Sequence, residues 1–192
     1  MLQSEQMTKL LRLSNDLGSL LLIDEAYYPF YEHTVIRHID EYPNLLAARS
    51  FSKAWGAAGL RVGYLAGNSA LLKLLHKNRP MYEVGTFATE MLYLLLDCQS
   101  DVLASVERLN RGREYFIREM KSLGFQSTKS HGNFLHVQFG VAEKKIAEVL
   151  KDTVLYRTEF SHASCLNGYS RFSLGTEEQF KIVVEKIKSV MK

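Results

Sequence analysis

The sequence has few cysteines and prolines, and it lacks a long apolar run. Two cysteines in 192 residues are too few for a disulfide framework and favour a reducing, cytoplasmic location. No apolar run reaches the roughly 18 residues that a membrane helix needs, because the longest candidate, residues 17–26, contains Asp24 and Glu25. The N-terminus lacks a basic stretch followed by an apolar one, so we expect neither a membrane association nor a secretory signal.

The sequence also lacks a concentration of charge of one sign. Its 24 basic and 21 acidic residues give a net charge of +3, and the basic residues of segment 102–123 alternate with acidic ones, as on a solvated helix face. No cysteine and histidine spacing is typical of a zinc site. We therefore expect no nucleic-acid partner and no bound metal. The content of 46% hydrophobic and 23% charged residues is that of an ordinary globular protein.

The hydrophobic pattern predicts an α/β part followed by a smaller α+β part. Apolar runs at 19–24, 44–50 and 61–67 are continuous rather than alternating, which favours strands of a parallel sheet buried on both faces. Further on, short strands are predicted at 133–139, 153–156 and 170–174. Helices are predicted at 4–15, 69–78, 86–97, 102–123, 142–151 and 177–191. We expect one domain over residues 1–98 and a second over residues 99–192.

The densest group of polar residues in apolar surroundings is segment 49–61, which directly follows a predicted buried strand. It contains Ser50, Lys53 and Arg61, and Asp24 ends the preceding strand. Ligands of open α/β sheets bind at the carboxyl ends of strands, so these side chains are expected to converge on one crevice. The alternative is that Lys53 and Arg61 are surface cations and that Asp24 caps a loop.

The segment Ser50-Phe51-Ser52-Lys53 admits two chemical interpretations. It matches the S-x-x-K motif of the penicillin-recognising serine enzymes, but their S-D-N and K-T-G elements are absent. The favoured interpretation is that the Lys53 amine forms a Schiff base with an aldehyde cofactor. Pyridoxal phosphate also needs a carboxylate at its pyridine nitrogen, a donor near its phenolic oxygen and phosphate ligands. Asp24, Tyr27, and Ser50 with Arg61 provide one candidate for each.

Four separated blocks of this sequence resemble the class I/II aminotransferases, which are fold-type I pyridoxal-phosphate enzymes. The blocks are Asp24-Glu25-Ala26-Tyr27, Ser50-Phe51-Ser52-Lys53-Ala54-Trp55-Gly56, Gly59-Leu60-Arg61-Val62-Gly63-Tyr64 and Arg171-Phe172-Ser173-Leu174-Gly175-Thr176. They agree in order and spacing, and they are most similar to the histidinol-phosphate aminotransferase branch. The resemblance implies the C-terminal part of a fold-type I large domain, a mostly parallel sheet with helices, followed by a small α+β domain.

The resemblance implies a role for each matching residue near the cofactor, pyridoxal 5′-phosphate. Lys53 matches the lysine that carries the cofactor, Asp24 the partner of the pyridine nitrogen, and Tyr27 the tyrosine near the ring oxygen. Ser50 and Arg61 match ligands of the cofactor phosphate. Lys53 is therefore also the implied general base and acid of the reaction.

Two arginines near the end of the chain match substrate-binding positions. Arg171 matches the arginine that binds the substrate carboxylate in a bidentate manner, and Arg157 matches a second arginine at the far end of phosphorylated substrates. The implied reaction transfers an amino group from an amino acid or amino phosphate to a 2-oxo acid, in a homodimer or larger self-association. A pyridoxal-phosphate-dependent decarboxylase on the same scaffold and a non-catalytic structural or assembly fragment are the open alternatives.

The chain departs from the family at its N-terminus. The family's phosphate-binding Gly/Ala/Ser turn, its aromatic residue that stacks on the pyridine, and its N-P-x-x-P-T-G-like segment have no counterpart here. Gly85 stands where relatives commonly carry asparagine. The resemblance is thus to the C-terminal half of an aminotransferase, and we expect the chain by itself to lack sustained activity.

Overall fold

The computed structural model describes residues 3–128, 130–158, 160 and 164–191. Contacts divide the chain into two compact units, Met1–Leu103 and Ala104–Lys192, and each contains a three-stranded sheet. The helices are α1 (Ser4–Asp16), α2 (Ser69–His76), α3 (Thr86–Asp97), α4 (Gln99–Ser122), α5 (Glu143–Leu150) and α6 (Glu177–Val190). The strands are β1 (Leu21–Asp24), β2 (Leu45–Ser50), β3 (Gly63–Gly67), β4 (Gln126–Ser127), β5 (Phe134–Gln138) and β6 (Tyr169–Ser173). Over the described ranges, none of these helices is long and apolar enough to cross a bilayer.

The first unit is built around a core between α1 and one face of its sheet. Helix α1 ends at Asp16, and Gly18 adopts the left-handed backbone conformation, with φ of +60°, that lets the chain turn into β1. Leu11 from α1 packs with Leu45 and Ala47 from β2. Every second residue of these strands therefore points into this core, which fixes the register of β1 against β2.

The first sheet is only partly parallel. Strand β1 pairs with β2 in parallel, as the continuous apolar runs predict, but β3 pairs with β2 in the antiparallel direction. The prediction for 61–67 is therefore wrong in direction, and the strand begins at Gly63. The physical reason is the connection over 51–62, which holds only the short 3₁₀ turn Ala58–Leu60. A parallel return needs a crossover of a dozen or more residues, usually a helix; this connection has just twelve residues and contains no α-helix that could cross the sheet.

The face of the first sheet that lies opposite α1 is open along β1 and β3, whereas Leu46 in the central strand β2 is 3% exposed. Leu22 in β1 and Leu65 in β3 are 55% and 45% exposed, although both belong to runs predicted to be buried on both faces. Helix α1 and the segment around Val35 and Tyr42 pack against the other face of the sheet. The result is an apolar surface that carries Asp24 at the end of β1.

The second unit packs α4, α5 and α6 against one face of an antiparallel sheet in the order β4-β5-β6. Its core contains Phe116 from α4, Leu135 from β5, Phe172 from β6, and Ile146 and Ile187 from α5 and α6.

The strand predicted at 153–156 is absent from the second unit, although this segment belongs to the described residues. The backbone N–H groups of Thr153 and Val154 instead donate to the Leu150 carbonyl at 2.8 and 3.1 Å, within the turn that ends α5. Only Arg157 forms a β-bridge, to Arg171. Strand β4, with two residues, is too short to show a period in the sequence.

Gly112 allows α4 to lie against the segment that precedes α6. A Cβ atom at this position would collide with the backbone oxygen of Gly175 and lie 2.9 Å from the carbonyl carbon of Thr176. We expect Gly112→Ala to lower the free energy of unfolding by about 1–3 kcal/mol, as overpacking does, although alanine is the better helix former. Urea denaturation measures this loss. Gly85→Ala, where a Cβ meets nothing within 4 Å, is the control, and equal stability of both variants would contradict the packing argument.

Candidate functional site

The five cofactor residues predicted from the sequence lie at one edge of the first sheet. Strands β1 and β2 are parallel and end at Asp24 and Ser50, and antiparallel β3 begins at the same edge. Tyr27 and Lys53 follow the ends of β1 and β2 by three residues each, and Arg61 precedes β3 by two. The strand directions alone therefore place a carboxylate, a phenol, a hydroxyl, an amine and a guanidinium at the same edge of the sheet.

Asp24 and Ser50 lie on the same face of the sheet, opposite α1. Asp24 pairs with Ala48 in the register, and Ser50 is two residues further along β2, which returns the chain to the same face. Asp24 Oδ1 accepts the Ala26 N–H at 2.9 Å, and Ser50 Oγ accepts the Ser52 N–H at 3.0 Å. These contacts orient both groups, while a carboxylate keeps a second acceptor oxygen and a hydroxyl keeps its proton to donate.

Lys53 and Tyr27 are in direct contact. The Lys53 Nζ lies 5.3 Å from the centroid of the Tyr27 ring, within the range of a cation–π interaction. Tyr27 and Asp24 also line a cavity of about 380 Å³. The residues that line this cavity do not include Ser50, Lys53 or Arg61. The structure thus joins Lys53 to Tyr27, and Tyr27 to Asp24, whereas this cavity contains only two of the five residues.

Arg61 has a backbone conformation that few arginines adopt. It caps the 3₁₀ turn Ala58–Leu60 with φ of 56° and ψ of 37°, in the left-handed region, where a residue with a Cβ is strained. Its Nη1 donates to the Ala58 carbonyl at 3.2 Å, and the residue is exposed. Glycine suits this backbone better, which makes the arginine side chain a candidate for a use beyond the turn itself.

We expect Arg61→Gly to separate that use from folding. Glycine relieves the left-handed strain but loses more chain entropy on folding, so the free energy of unfolding should change by less than about 1 kcal/mol. Loss of a charged phosphate donor, worth about 1.5–3 kcal/mol, should weaken pyridoxal-phosphate binding roughly tenfold to a hundredfold. Fluorescence titration with the cofactor measures this. Arg61→Ala keeps the strained backbone of the parent and also lacks the phosphate donor, so it should bind the cofactor as weakly as Arg61→Gly. Unchanged affinity in both variants would remove Arg61 from the site.

An ion pair that the sequence analysis did not assign supports this edge of the sheet. Glu25 follows β1, and Arg49 precedes Ser50 in β2; Arg49 Nε and Nη2 both donate to Glu25 Oε2 at 3.0 Å. The two side chains are 6% and 14% exposed. Thr34 Oγ1 donates to the same carboxylate oxygen at 2.8 Å, and the Val35 N–H donates to Oε1. The pair ties the chain after β1 to β2.

Two tyrosines complete the surroundings of Arg49. Its guanidinium carbon lies 3.6 Å from the centroid of the Tyr28 ring, and its Nη1 donates to the Tyr64 hydroxyl at 3.4 Å. Burial alone lowers the pKa of Arg49, but the hydrogen bonds and charge interactions with Tyr64 and Glu25 outweigh it and raise this pKa above the ordinary value. The only sequence signal for the pair is that Glu25 and Arg49 each neighbour a predicted site residue.

Arg157 and Arg171 lie side by side in the second unit. Each backbone N–H donates to the other's carbonyl, at 3.0 and 2.7 Å. The guanidinium carbon of Arg171 is 4.2 Å from the Phe134 ring centroid, and that of Arg157 is 5.4 Å from the Phe160 ring centroid. Directly opposed residues have Cβ atoms about 4.5–5.5 Å apart, so both cations can reach one anionic group.

Two curated relatives show the extent of the similarity. The histidinol-phosphate aminotransferase of Sulfurisphaera tokodaii is 32% identical over 191 residues, which cover 100% of this chain and 51% of the relative. Histidinol-phosphate aminotransferase 1 of Trichormus variabilis is 30% identical over 183 residues, with 94% and 52% covered. The chain therefore spans about half the length of the curated relatives it matches.

Solved structures show the same fold. The histidinol-phosphate aminotransferase of Clostridium acetobutylicum superposes with a TM-score of 0.84 at 21% identity over 100% of this chain and 60% of its own. That of Sinorhizobium meliloti, solved in complex with pyridoxal-5′-phosphate, gives 0.73 at 21% identity over 95% and 53%. The L-threonine-O-3-phosphate decarboxylase of Porphyromonas gingivalis gives 0.79 at 19% identity over 100% and 60%.

These likenesses establish the fold-type I architecture, with a sheet and helices in the order that the resemblance implies. At the level of sequence, residues 1–187 match the family described as aminotransferase class I and II. The match begins ahead of α1 and ends within the last helix, α6. The chain belongs to the class I and II aminotransferase family.

Proposed function

We propose that this chain carries the lysine-bearing part of a pyridoxal-phosphate-dependent aminotransferase. The observation that carries the proposal is the placement of Asp24, Tyr27, Ser50, Lys53 and Arg61 at one edge of the sheet, with Lys53 Nζ 5.3 Å from the Tyr27 ring. Membership of the aminotransferase family and the pyridoxal-5′-phosphate complex of the Sinorhizobium meliloti relative support the choice of cofactor.

The donor set at this edge fits the cofactor. The oriented carboxylate of Asp24 can accept from a protonated pyridine nitrogen, and the Tyr27 hydroxyl can donate to the ring oxygen. Ser50 and Arg61 offer a hydroxyl and a guanidinium to the phosphate, and Lys53 offers its amine to the aldehyde carbon. When bound, the cofactor supplies a sink for the electrons of a substrate bond. Asp24 maintains the positive charge that this sink needs.

Lys53 has a second task in this proposal. Its Nζ would accept the proton from the substrate alpha carbon and would return a proton to the carbon atom of the cofactor aldehyde, as a general base and acid. A base needs the neutral amine. Tyr27 positions the amine through the ring contact, so the reacting nitrogen has a defined location at the sheet edge.

We propose that the substrate is a phosphorylated amine. Arg157 and Arg171 occupy directly opposed backbone positions, and two guanidiniums together match the charge of one phosphate dianion better than that of one carboxylate. The names of the curated relatives point to histidinol phosphate. A decarboxylase of a phosphorylated amino acid is the second candidate, because the Porphyromonas gingivalis enzyme shares the fold. In that candidate, the carboxylate that Arg171 was predicted to hold would be the group that leaves.

The test of the substrate site is Arg171→Ala in the full-length protein loaded with the cofactor. Histidinol phosphate binding, measured by calorimetry, should weaken roughly tenfold to a hundredfold, because hydrogen bonds to charged groups are worth about 1.5–3 kcal/mol. Affinity for pyridoxal phosphate should stay the same. Arg118→Ala, at a side chain that is 67% exposed, is the control. Unchanged histidinol phosphate affinity in Arg171→Ala would contradict the substrate role.

Product analysis separates the two candidate reactions. An aminotransferase converts histidinol phosphate, which has no carboxylate, and passes its amino group to a 2-oxo acid. A decarboxylase instead releases carbon dioxide from a phosphorylated amino acid and leaves its amino group in place. Conversion of histidinol phosphate with formation of an amino acid from the 2-oxo acid supports the first, and carbon dioxide release without amino transfer supports the second.

We also propose the wider organisation that the resemblance implies. Residues 1–98 would belong to the cofactor-binding large domain and residues 99–192 to the small domain, in a cytoplasmic homodimer or larger assembly. Exposed apolar side chains around α3 support self-association, because contiguous apolar surface is usually covered by a partner. They include Met81, Tyr82, Phe87, Tyr93 and Leu94, which are 62–90% exposed.

A further inference from the structure

A buried histidine contacts the two phenyl rings on which the arginines of the second unit lie. His136 in β5 is the register partner of Arg171 in β6 and is 8% exposed. Its ring centroid is 5.4 Å from that of Phe134 and 5.3 Å from that of Phe160. The guanidinium of Arg171 lies over the Phe134 ring, and that of Arg157 lies over the Phe160 ring. The imidazole is therefore the middle one of three rings, and each of the two outer rings, Phe134 and Phe160, contacts one guanidinium.

The surroundings of His136 disfavour a positive charge. The charged group that faces it across the register is Arg171 from β6. Arg157 pairs with Arg171 on the other side of β6, and Tyr169 lies on the same face of β6, two residues from Arg171. From the strand on its other side, Thr128 Oγ1 lies 3.5 Å from its Nδ1. No described carboxylate is bonded to the ring. Burial, and then the charge of Arg171, lower the pKa of His136 below its ordinary value, so the ring is neutral near pH 7.

We propose that His136 is a proton-linked positioning residue of the anion site formed by Arg157 and Arg171. The neutral ring supports the two phenyl groups on which the guanidiniums lie, and it takes up a proton when an anion binds. This inference rests on the proposed substrate site and adds a residue to it. His136 acts through its neighbours and does not itself contact the substrate.

Charge linkage gives the sign of the effect. A bound dianion next to Arg171 cancels the positive potential that opposes protonation, so it raises the pKa of His136 toward and above the ordinary value. By reciprocity, protonated His136 binds the anion more tightly than neutral His136 by the same factor. Anion affinity therefore rises as the pH falls through the pKa of His136, and binding is accompanied by proton uptake.

The probe is sulfate, because it stays a dianion across this pH range whereas phosphate itself titrates. We expect sulfate affinity, measured by calorimetry at constant ionic strength, to increase roughly fivefold from about pH 7.5 to about pH 5.5, at the lower end of ordinary couplings between sites. Titrations in two buffers of different ionisation enthalpy should show proton uptake. In His136→Gln both effects should disappear while sulfate still binds near neutral pH. His76→Gln, at an exposed histidine, should behave like the parent.

A second measurement needs no variant that could misfold. The imidazole proton resonance of His136 in the parent chain should titrate below the ordinary pKa without sulfate and shift upward with saturating sulfate. An ordinary pKa that sulfate leaves unchanged, a parental pH dependence in His136→Gln, or no sulfate binding at all would each overturn the inference. Pyridoxal phosphate is absent from these experiments, so a failure of the proposed enzymatic function would leave their results unaffected.

Discussion

Lys53→Ala is expected to remove the visible absorbance that the chain acquires with excess pyridoxal phosphate. The absorbance arises from a covalent link between a lysine amine and the cofactor aldehyde, and Lys53 is the amine that the sheet edge holds against Tyr27, at 5.3 Å from the ring. The fold should be kept, because the half-exposed side chain contributes one weak cation–π contact of about 0.5–1 kcal/mol. In the full-length protein, the same change should abolish amino transfer.

The matched control is Lys73→Ala in α2, an exposed lysine away from the strand ends. It should keep the absorbance, and circular dichroism should show that both variants are folded. If Lys53→Ala keeps the absorbance and amino transfer, another amine holds the cofactor and the assignment of Lys53 is wrong.

Arg49→Ala is expected to produce the largest loss of stability in the first unit. It leaves the Glu25 carboxylate, whose side chain is 6% exposed, without its cation, and breaking a buried pair on one side lowers stability by about 3–5 kcal/mol. The bonds from Thr34 and Val35 to Glu25 compensate only in part. Because the pair anchors β1 and β2 next to Asp24 and Ser50, cofactor binding should weaken as well. Urea denaturation and cofactor titration measure the two effects.

The double variant Glu25→Gln with Arg49→Met tests the cause, because the glutamine amide oxygen can still accept from the Val35 N–H. Removing both charges avoids the uncompensated carboxylate, so this variant should recover most of the stability that Arg49→Ala loses. The exposed pair Arg111 and Glu107, joined at 3.1 Å, is the control, and Arg111→Ala should change stability by less than about 1 kcal/mol. A double variant as unstable as Arg49→Ala would show that packing, and not charge, is what Arg49 contributes.

The sequence could predict which residues share the sheet edge because strand ends are local features. Asp24 and Ser50 each end an apolar run, and the next polar residues follow within a few positions. Strand direction is not local. It depends on the connection over 51–62, which holds a short turn instead of a helix. Strand β3 is therefore antiparallel to β2, and Arg61 still lies at the predicted edge of the sheet.

Contacts between distant residues could not be predicted in this way. Glu25 and Arg49 are 24 positions apart, and their pairing follows from the register of β1 and β2. The bridge between Arg157 and Arg171 likewise depends on the turn after α5. In this turn the backbone N–H groups of Thr153 and Val154 donate to the Leu150 carbonyl, so no strand forms ahead of Arg157. The resemblance supplied a separate role for each of these arginines, whereas the structure places them side by side.

The central claim, that this sheet edge is the pyridoxal-phosphate site, is tested most directly by locating the modified lysine. The unmodified chain is incubated with pyridoxal phosphate, reduced with borohydride, digested and analysed by mass spectrometry. We predict that the cofactor is attached to Lys53 and that labelling of the other lysines, such as Lys73, stays at the level of a denatured control. Labelling spread over many lysines, or concentrated on one outside the segment between β2 and β3, would contradict the account.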